Sequence, residues 1–226
     1  MSTVYLVRHG ENEANITKEF SHRLVDYDLT ERGRLQAAQT ATHFRDIGID
    51  RIVSSPLKRA LQTAQAIASV KGMDFQVIEA FREVNVGDLE SRKPDAAAWE
   101  LYLSITGGWY AGNPHRSFPN GEDLFSLERR FAAGLKETLS GFPDASRVLV
   151  VGHGGIFHAG VLSLCSVPNR DAFMTAPNHN CSVSELEVET DGQALSARLL
   201  RWADHSHLSG AAADFVNGLP DLSVLR

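Results

Sequence analysis

Cysteine is scarce in this sequence. Cys165 and Cys181 are the two in 226 residues, too few for a disulfide framework, and a chain of this length can bury a core without one. Both are expected as buried free thiols. Positive charge is also in deficit, with 22 Lys and Arg against 28 Asp and Glu and a formal net charge of −6. A general attraction for nucleic acid or an anionic membrane is thereby excluded, so any anionic ligand has to be caught by a local basic cluster. Long apolar runs are missing as well. No stretch approaches the roughly 20 residues of a membrane span, and residues 1–7 meet Arg8 too soon for a signal peptide. A cytoplasmic protein is expected. Internal repeats and low-complexity blocks are absent, while 43% hydrophobic and 22% charged residues match an ordinary folded domain.

What is present is alternation. Short apolar runs at 4–7, 51–53, 75–78 and 148–151 are brief and rich in β-branched or aromatic residues, the pattern of buried strands. Between them, Leu57, Ala60, Leu61, Ala64, Ile67 and Ala68 share one helical face, with Ser55 placed to cap and Pro56 suited to the first turn. Thr30 reads as the N-cap of a helix over 31–46, and Leu124, Leu127, Phe131 and Leu135 mark another helix. Strands alternating with helices predict an α/β fold, a mainly parallel sheet with helices on both faces. Segments 182–188 and 195–202 flank Asp191-Gly192, a two-residue turn signal that adds a C-terminal antiparallel hairpin. Residues 91–121 carry Gly107-Gly108, Gly112-Asn113-Pro114 and Pro119-Asn120-Gly121 around Trp99, Trp109 and Tyr110, which suggests an inserted, loop-rich lid. The 204–226 tail is poorly patterned, and residues 1–226 are expected to form a single domain.

The strand ends collect the chemistry. Arg8-His9-Gly10 follows the first strand, Gly152-His153-Gly154-Gly155 follows the 148–151 strand, and Arg59 lies in the first turn after the 51–54 strand. The carboxyl end of a parallel sheet is where open α/β folds bind ligands, and a helix N-terminus favours an anion. Singly, each of these residues is ordinary: a structural histidine, a solvated helix arginine. Together they suit a dianionic phosphoryl group, with guanidinium forks on its oxygens, a protonated His153 as a further donor and His9 as nucleophile. The leaving alkoxide needs a proton from a carboxylic acid on the loop after the 75–78 strand, where Glu79, Glu83, Asp88 and Glu90 all qualify. No cofactor or metal is required for such chemistry. Asp204-His205-Ser206-His207 lacks further spaced ligands for a metal, and Glu128-Arg129-Arg130 reads as the solvated face of its helix.

With Leu6-Val7-Arg8-His9-Gly10-Glu11, Leu29-Thr30-Glu31-Arg32-Gly33, Ser54-Ser55-Pro56-Leu57-Lys58-Arg59-Ala60 and Gly152-His153-Gly154-Gly155 in this order, the chain resembles the histidine phosphatases, the phosphoglycerate mutase-like superfamily, over about 3–202. The resemblance implies that His9 is the nucleophile, that Arg8, Arg59 and His153 form the phosphate pocket, and that Asn15 and the Gly154 backbone add contacts. It places the acid at Glu83 and sets Ser21 and His22 facing substrate.

Three activities fit: a phosphomonoesterase for a small phosphorylated metabolite, a mutase that returns the phosphoryl group to a sugar acid, and a non-catalytic interaction module on the same fold. The full complement of polar side chains argues against the third. The family's glycolytic mutases are known for a tyrosine three residues after the acid and an adjacent arginine pair in the insertion. Here Val86 takes the first position and 91–121 holds no such pair. A phosphatase is favoured, with His115 and Arg116 as the basic groups left to hold a carboxylate. The identity of the phosphomonoester is not legible, and self-association into a homo-oligomer stays open.

Overall fold

The computed structural model describes residues 1–167, 169–190, 194–216 and 218–222. Six strands form one sheet in the order β3-β2-β4-β1-β5-β6. They are β1 (Ser2–Arg8), β2 (Arg51–Ser54), β3 (Gln76–Val77), β4 (Arg147–Gly152), β5 (Val183–Thr190) and β6 (Leu195–Asp204). The β3-β2-β4-β1 pairings are parallel, and β5 and β6 add antiparallel. The α/β reading and the antiparallel addition are therefore both present. The Asp191-Gly192 turn lies outside the described residues.

The central strands are apolar on both faces because both are covered. Val148 and Val150 of β4 pack into one cluster with α5 (Leu124–Leu139) and α6 (Gly154–Leu164), whereas Leu149 and Val151 pack into a second with α2 (Glu31–Phe44) and α3 (Lys58–Lys71). The same alternation gives Leu6 and Val7 of β1 to opposite faces. Thr30 caps α2 as expected, its Oγ1 accepting from the Gly33 amide at 3.0 Å. The α3 start differs: Leu57 is the N-cap, and Ser55 does not hold that place. The Ser55 hydroxyl instead meets His153 at 2.7 Å.

About half of the insertion is helical, which corrects the loop-rich expectation for its first part. Residues Ala96–Tyr110 form α4, capped by Asp95 Oδ1 on the Ala98 amide at 2.9 Å. Gly107-Gly108 costs such a helix about 1 kcal/mol per glycine, but burial of Ala98, Trp99, Ile105 and Trp109 outweighs it. The tail is ordered where it meets α2: Leu208 and Ala212 are buried, and Gln36 Nε2 donates to the Ala212 carbonyl at 3.1 Å. Two short α-helices remain among the described residues, α1 (Glu13–Thr17) and α7 (Arg170–Thr175). Among the described residues no helix is long and apolar enough to cross a membrane.

Candidate active site

Strand register assembles the site. Arg8 of β1 lies opposite Gly152 of β4, so the His9 amide donates to the Gly152 carbonyl at 3.0 Å and His153 follows directly beside it. The β2 end joins the same rim, the Ser55 amide donating to Val151 at 2.9 Å. Gly33 lets α2 cross this turn closely: a Cβ there would sit 2.0 Å from the Glu11 carbonyl oxygen. The Glu31-Arg32-Gly33 block thus acts on the site by fixing the backbone after His9. Glu11 is tied down as well, accepting from Thr30 Oγ1 at 2.7 Å and Arg32 at 3.1 Å.

His9 is buried, and its Nδ1 lies 2.7 Å from the Gly10 carbonyl oxygen. A carbonyl can only accept, so Nδ1 carries the proton and Nε2 presents a lone pair. Arg59 Nε donates to that atom at 3.1 Å. Burial, with the nearby Arg59 and Arg8 charges, holds His9 well below the usual histidine pKa, so the imidazole is neutral. Burial also pushes the Arg59 guanidinium down to about 10, still protonated at neutral pH. Arg59 is oriented by Ser21, donating to its hydroxyl at 2.7 Å and its carbonyl at 2.8 Å. Arg8 donates to the Asn178 carbonyl, while its Nε is buried with no partner among the described residues.

Glu83 arrives at the N-terminus of α6. Its Oε1 accepts from the Val84 amide at 2.9 Å and the Ile156 amide at 3.0 Å, and its Oε2 accepts from the Gly155 amide at 3.2 Å. Gly155 makes room for this approach, because a Cβ there would fall 2.7 Å from Glu83 Oε1. The geometry separates Glu83 from its three rivals. Glu79 pairs with Arg82 at the surface, and Asp88 accepts from the Asn120 side chain at 3.0 Å. Glu90 Oε1 accepts from the consecutive amides of His22, Arg23, Leu24 and Val25 at 2.6, 2.6, 2.8 and 3.2 Å, closing the loop that carries Ser21.

Arg130 corrects the solvated-face reading of its helix. It donates to the carbonyls of Ala80 at 2.7 Å, Arg82 at 2.6 Å and Glu83 at 3.3 Å, and it pairs with Glu122 at 2.6 Å. Its long side chain spans from α5 to clamp the backbone of the acid loop, a reach that helical periodicity alone does not reveal.

Among the other expected residues, Ser21, Asn15 and Gly154 line the cavity above His9. Asn15 Oδ1 accepts from the Asn12 amide and from Asn180 Nδ2, each at 3.1 Å. His22 does not line the cavity; its Nδ1 donates to the Glu83 carbonyl at 2.8 Å, so it braces the acid loop. Arg116 also lies outside, donating to Ser104 Oγ and the Ser104 carbonyl at 2.9 Å on α4. His153 packs against His9 with ring centroids 5.1 Å apart, fully buried and not part of the cavity wall. The protonated form expected for it is corrected too: burial, then Arg59, His9 and Arg8, holds its pKa well below the usual value.

Two contributors were not anticipated. Asn12, three residues after His9, lines the cavity with its Nδ2 buried and without a partner among the described residues. Its place between Glu11 and Asn15 was a local signal that could have been used. Asn178 comes from the α7–β5 connection, where no sequence pattern marks it.

The cavity measures about 730 Å³. Arg8, His9, Arg59 and Glu83 occupy its polar end, and α4 supplies Trp99, Tyr102, Leu103 and Tyr110 to its wall. Among the described residues no group of three or more His, Cys, Asp or Glu side chains is arranged to hold a metal ion.

Comparison with known proteins places this geometry among relatives. A protein of Escherichia fergusonii named "Probable phosphoglycerate mutase GpmB" is 33% identical over 223 residues, covering 95% of this chain and 98% of its own. A Proteus mirabilis protein of the same name is 33% identical over 225 residues, covering 96% of this chain and 99% of its own. Among solved structures, Bacillus stearothermophilus YhfR superposes with a TM-score of 0.75 at 23% identity, over 92% of this chain and 99% of that one. Entamoeba histolytica phosphoserine phosphatase in complex with 3-phosphoglyceric acid does so with a TM-score of 0.72 at 23% identity, over 92% and 100%. The description of the histidine phosphatase superfamily (branch 1) matches residues 4–201, and the chain belongs to that superfamily.

Proposed function

We propose that this protein hydrolyses phosphomonoesters by passing the phosphoryl group through His9 to water. The observation that carries this reading is a neutral His9 imidazole in a cavity that Arg8 and Asn12 also line, with Arg8 Nε and Asn12 Nδ2 buried and lacking hydrogen-bond partners among the described residues. Buried polar groups without partners are uncommon, and phosphoryl oxygens are strong acceptors for both.

In the proposed course, the phosphoryl oxygens draw the Arg59 Nε–H away from His9 Nε2 and free its lone pair. Nε2 attacks phosphorus, the P–O bond to the alcohol breaks, and Glu83 in its protonated form gives the alkoxide a proton. The Nδ1–H bond to Gly10 O supports the cationic ring of the phosphohistidine. Glu83, now a carboxylate, takes a proton from the incoming water, whose oxygen attacks phosphorus as the P–N bond breaks. Inorganic phosphate leaves, and the enzyme is restored. A dianion at this position also opposes the charges that keep His153 neutral. The guanidiniums supply the positive charge for phosphoryl transfer, so neither metal nor cofactor takes part. Turnover unaffected by exhaustive chelation would support that; loss restored by a divalent ion would contradict it.

The name carried by the 33% identical relatives favours a second reading, a phosphoglycerate mutase. Val86 lines the cavity at the position where the mutases' tyrosine is expected, and Arg116 is engaged on α4 outside the cavity, so neither supplies a mutase's grip on the substrate carboxylate. The deciding experiment primes the enzyme with a bisphosphate and compares 2-phosphoglycerate formation from 3-phosphoglycerate with phosphate release from a panel of phosphomonoesters. Hydrolysis should be the faster process. Isomerisation exceeding every hydrolysis by orders of magnitude would replace the phosphatase reading with the mutase one.

A further inference from the structure

Trp99, Tyr102, Leu103, Thr106, Gly107 and Tyr110 recur at i, i+3, i+4, i+7, i+8 and i+11, a single helical face turned to the cavity. Two of its polar atoms are withdrawn: Trp99 Nε1 donates to the Lys18 carbonyl at 3.1 Å, and Thr106 Oγ1 to the Tyr102 carbonyl at 3.0 Å. Met174 and Pro177 contribute to the lining from α7 and the residues after it.

The same wall is short of fixed positive charge. Among the described lining residues, Lys18 is the one lysine or arginine besides Arg8 and Arg59, and its ammonium donates to the Asn15 carbonyl at 2.8 Å. His158 and His179 also line the cavity, and burial holds both below the ordinary histidine pKa. A three-carbon acid would leave most of the cavity unfilled, since 730 Å³ falls in the roughly 300–1,000 Å³ range of sites for drug-sized ligands.

We propose that the alcohol half of the substrate is an aromatic ring system, seated against Trp99, Tyr102 and Tyr110 with its phosphate at His9. The inference rests on the phosphatase reading for turnover, but not for binding. Ring faces and edges from three aromatic side chains favour a flat apolar body through burial and offset or edge-on stacking, whereas a carboxylate on this wall would lose water and gain a charged partner only by drawing Lys18 from the Asn15 carbonyl or Arg170 from the Tyr110 ring, which its guanidinium overlies at 5.3 Å.

Gly107 provides the test, because a Cβ added there meets nothing within 4 Å and the position lines the cavity. Replacing a helical glycine also favours the fold. Calorimetry would compare two non-hydrolysable ligands, 1-naphthylmethylphosphonate and methylphosphonate, on the wild type, Gly107→Leu and the milder Gly107→Ala, with thermal melts checking each variant. Phosphate release would be followed in parallel from 1-naphthyl phosphate, glycerol 3-phosphate and 3-phosphoglycerate. The aryl phosphonate should bind the wild type about tenfold or more tightly than methylphosphonate, from burial of one ring system, and Gly107→Leu should cut that ratio by about tenfold, with Gly107→Ala between. Equal affinities in the wild type, or a ratio that a folded Gly107→Leu leaves unchanged, would overturn the aromatic subsite. Phosphate release with no aryl preference would overturn the subsite and keep the phosphatase; aryl-selective binding with no release from any ester would do the reverse.

Discussion

The two ends of the cavity are built on opposite terms. The polar end is a set of short, specific bonds: His9 to Gly10, Arg59 to His9 and Ser21, and Glu83 to the amides at the start of α6. The α4 wall is made of rings stacked on one another, Phe20 on Trp99 with centroids 4.6 Å apart and Tyr102 on Phe118 at 5.6 Å. One end fixes atoms for chemistry; the other offers area without direction. A rate should therefore depend on the first and a preference among substrates on the second.

The largest effect that would test this division is at the nucleophile. His9→Ala should lower kcat by on the order of 10⁴-fold or more for every phosphomonoester, because it removes the Nε2 lone pair held beside Arg59 at the polar end of the cavity; circular dichroism would confirm that the fold is kept. Next, Arg59→Ala should cost on the order of 10²–10³ in kcat, and Arg59→Lys should recover little, since a point charge cannot reproduce the contacts to both His9 and Ser21. Glu83→Gln should slow alkyl phosphates by roughly 10²-fold while sparing activated aryl phosphates, and equal losses would remove Glu83 from the acid's role. On the wall, Leu103→Ala should leave kcat nearly untouched and raise KM for bulky esters a few-fold, about what a lost apolar contact is worth.

The smallest expected effect concerns stability. Burial and the neighbouring His43 push His207 down to about 4, with its Nε2 3.0 Å from Thr40 Oγ1. The unfolded chain, with histidines near 6.5, binds more protons than the folded one in this window. Stability is therefore full above about pH 6.5 and falls as pH drops toward 4. Melting temperatures from pH 7 to 4.5 should decline by a few degrees, and His207→Gln should flatten the slope. A profile that His207→Gln leaves as steep would assign the loss to other groups.

How much of this was legible in the sequence follows the same division. His9, Arg8, Arg59 and His153 sit at strand ends or in the first turn after one, so local pattern plus the rule of the sheet's carboxyl edge brought them together. The cap of α3 lies two residues after Ser55, at Leu57, because a cap depends on the dihedral angles of the turn, which a serine next to a proline does not determine. The α4 helix was hidden by Gly107-Gly108, whose local preference is overridden by burial of Trp99 and Trp109. Arg130 looked solvated because its partners, Ala80, Arg82 and Glu83, lie far off in sequence and meet it only in the fold. Arg116 looked available to substrate, but Ser104 on the preceding helix holds its Nη1.

The most direct test of the central claim is to catch the intermediate. The enzyme would be mixed with a phosphomonoester labelled in the phosphoryl group, quenched within one turnover and digested under alkaline conditions to find the labelled peptide. The account predicts an acid-labile, base-stable adduct on His9, formed at least as fast as phosphate is released. Label on a serine, cysteine or carboxylate, or turnover with no labelled protein at any time, would contradict it.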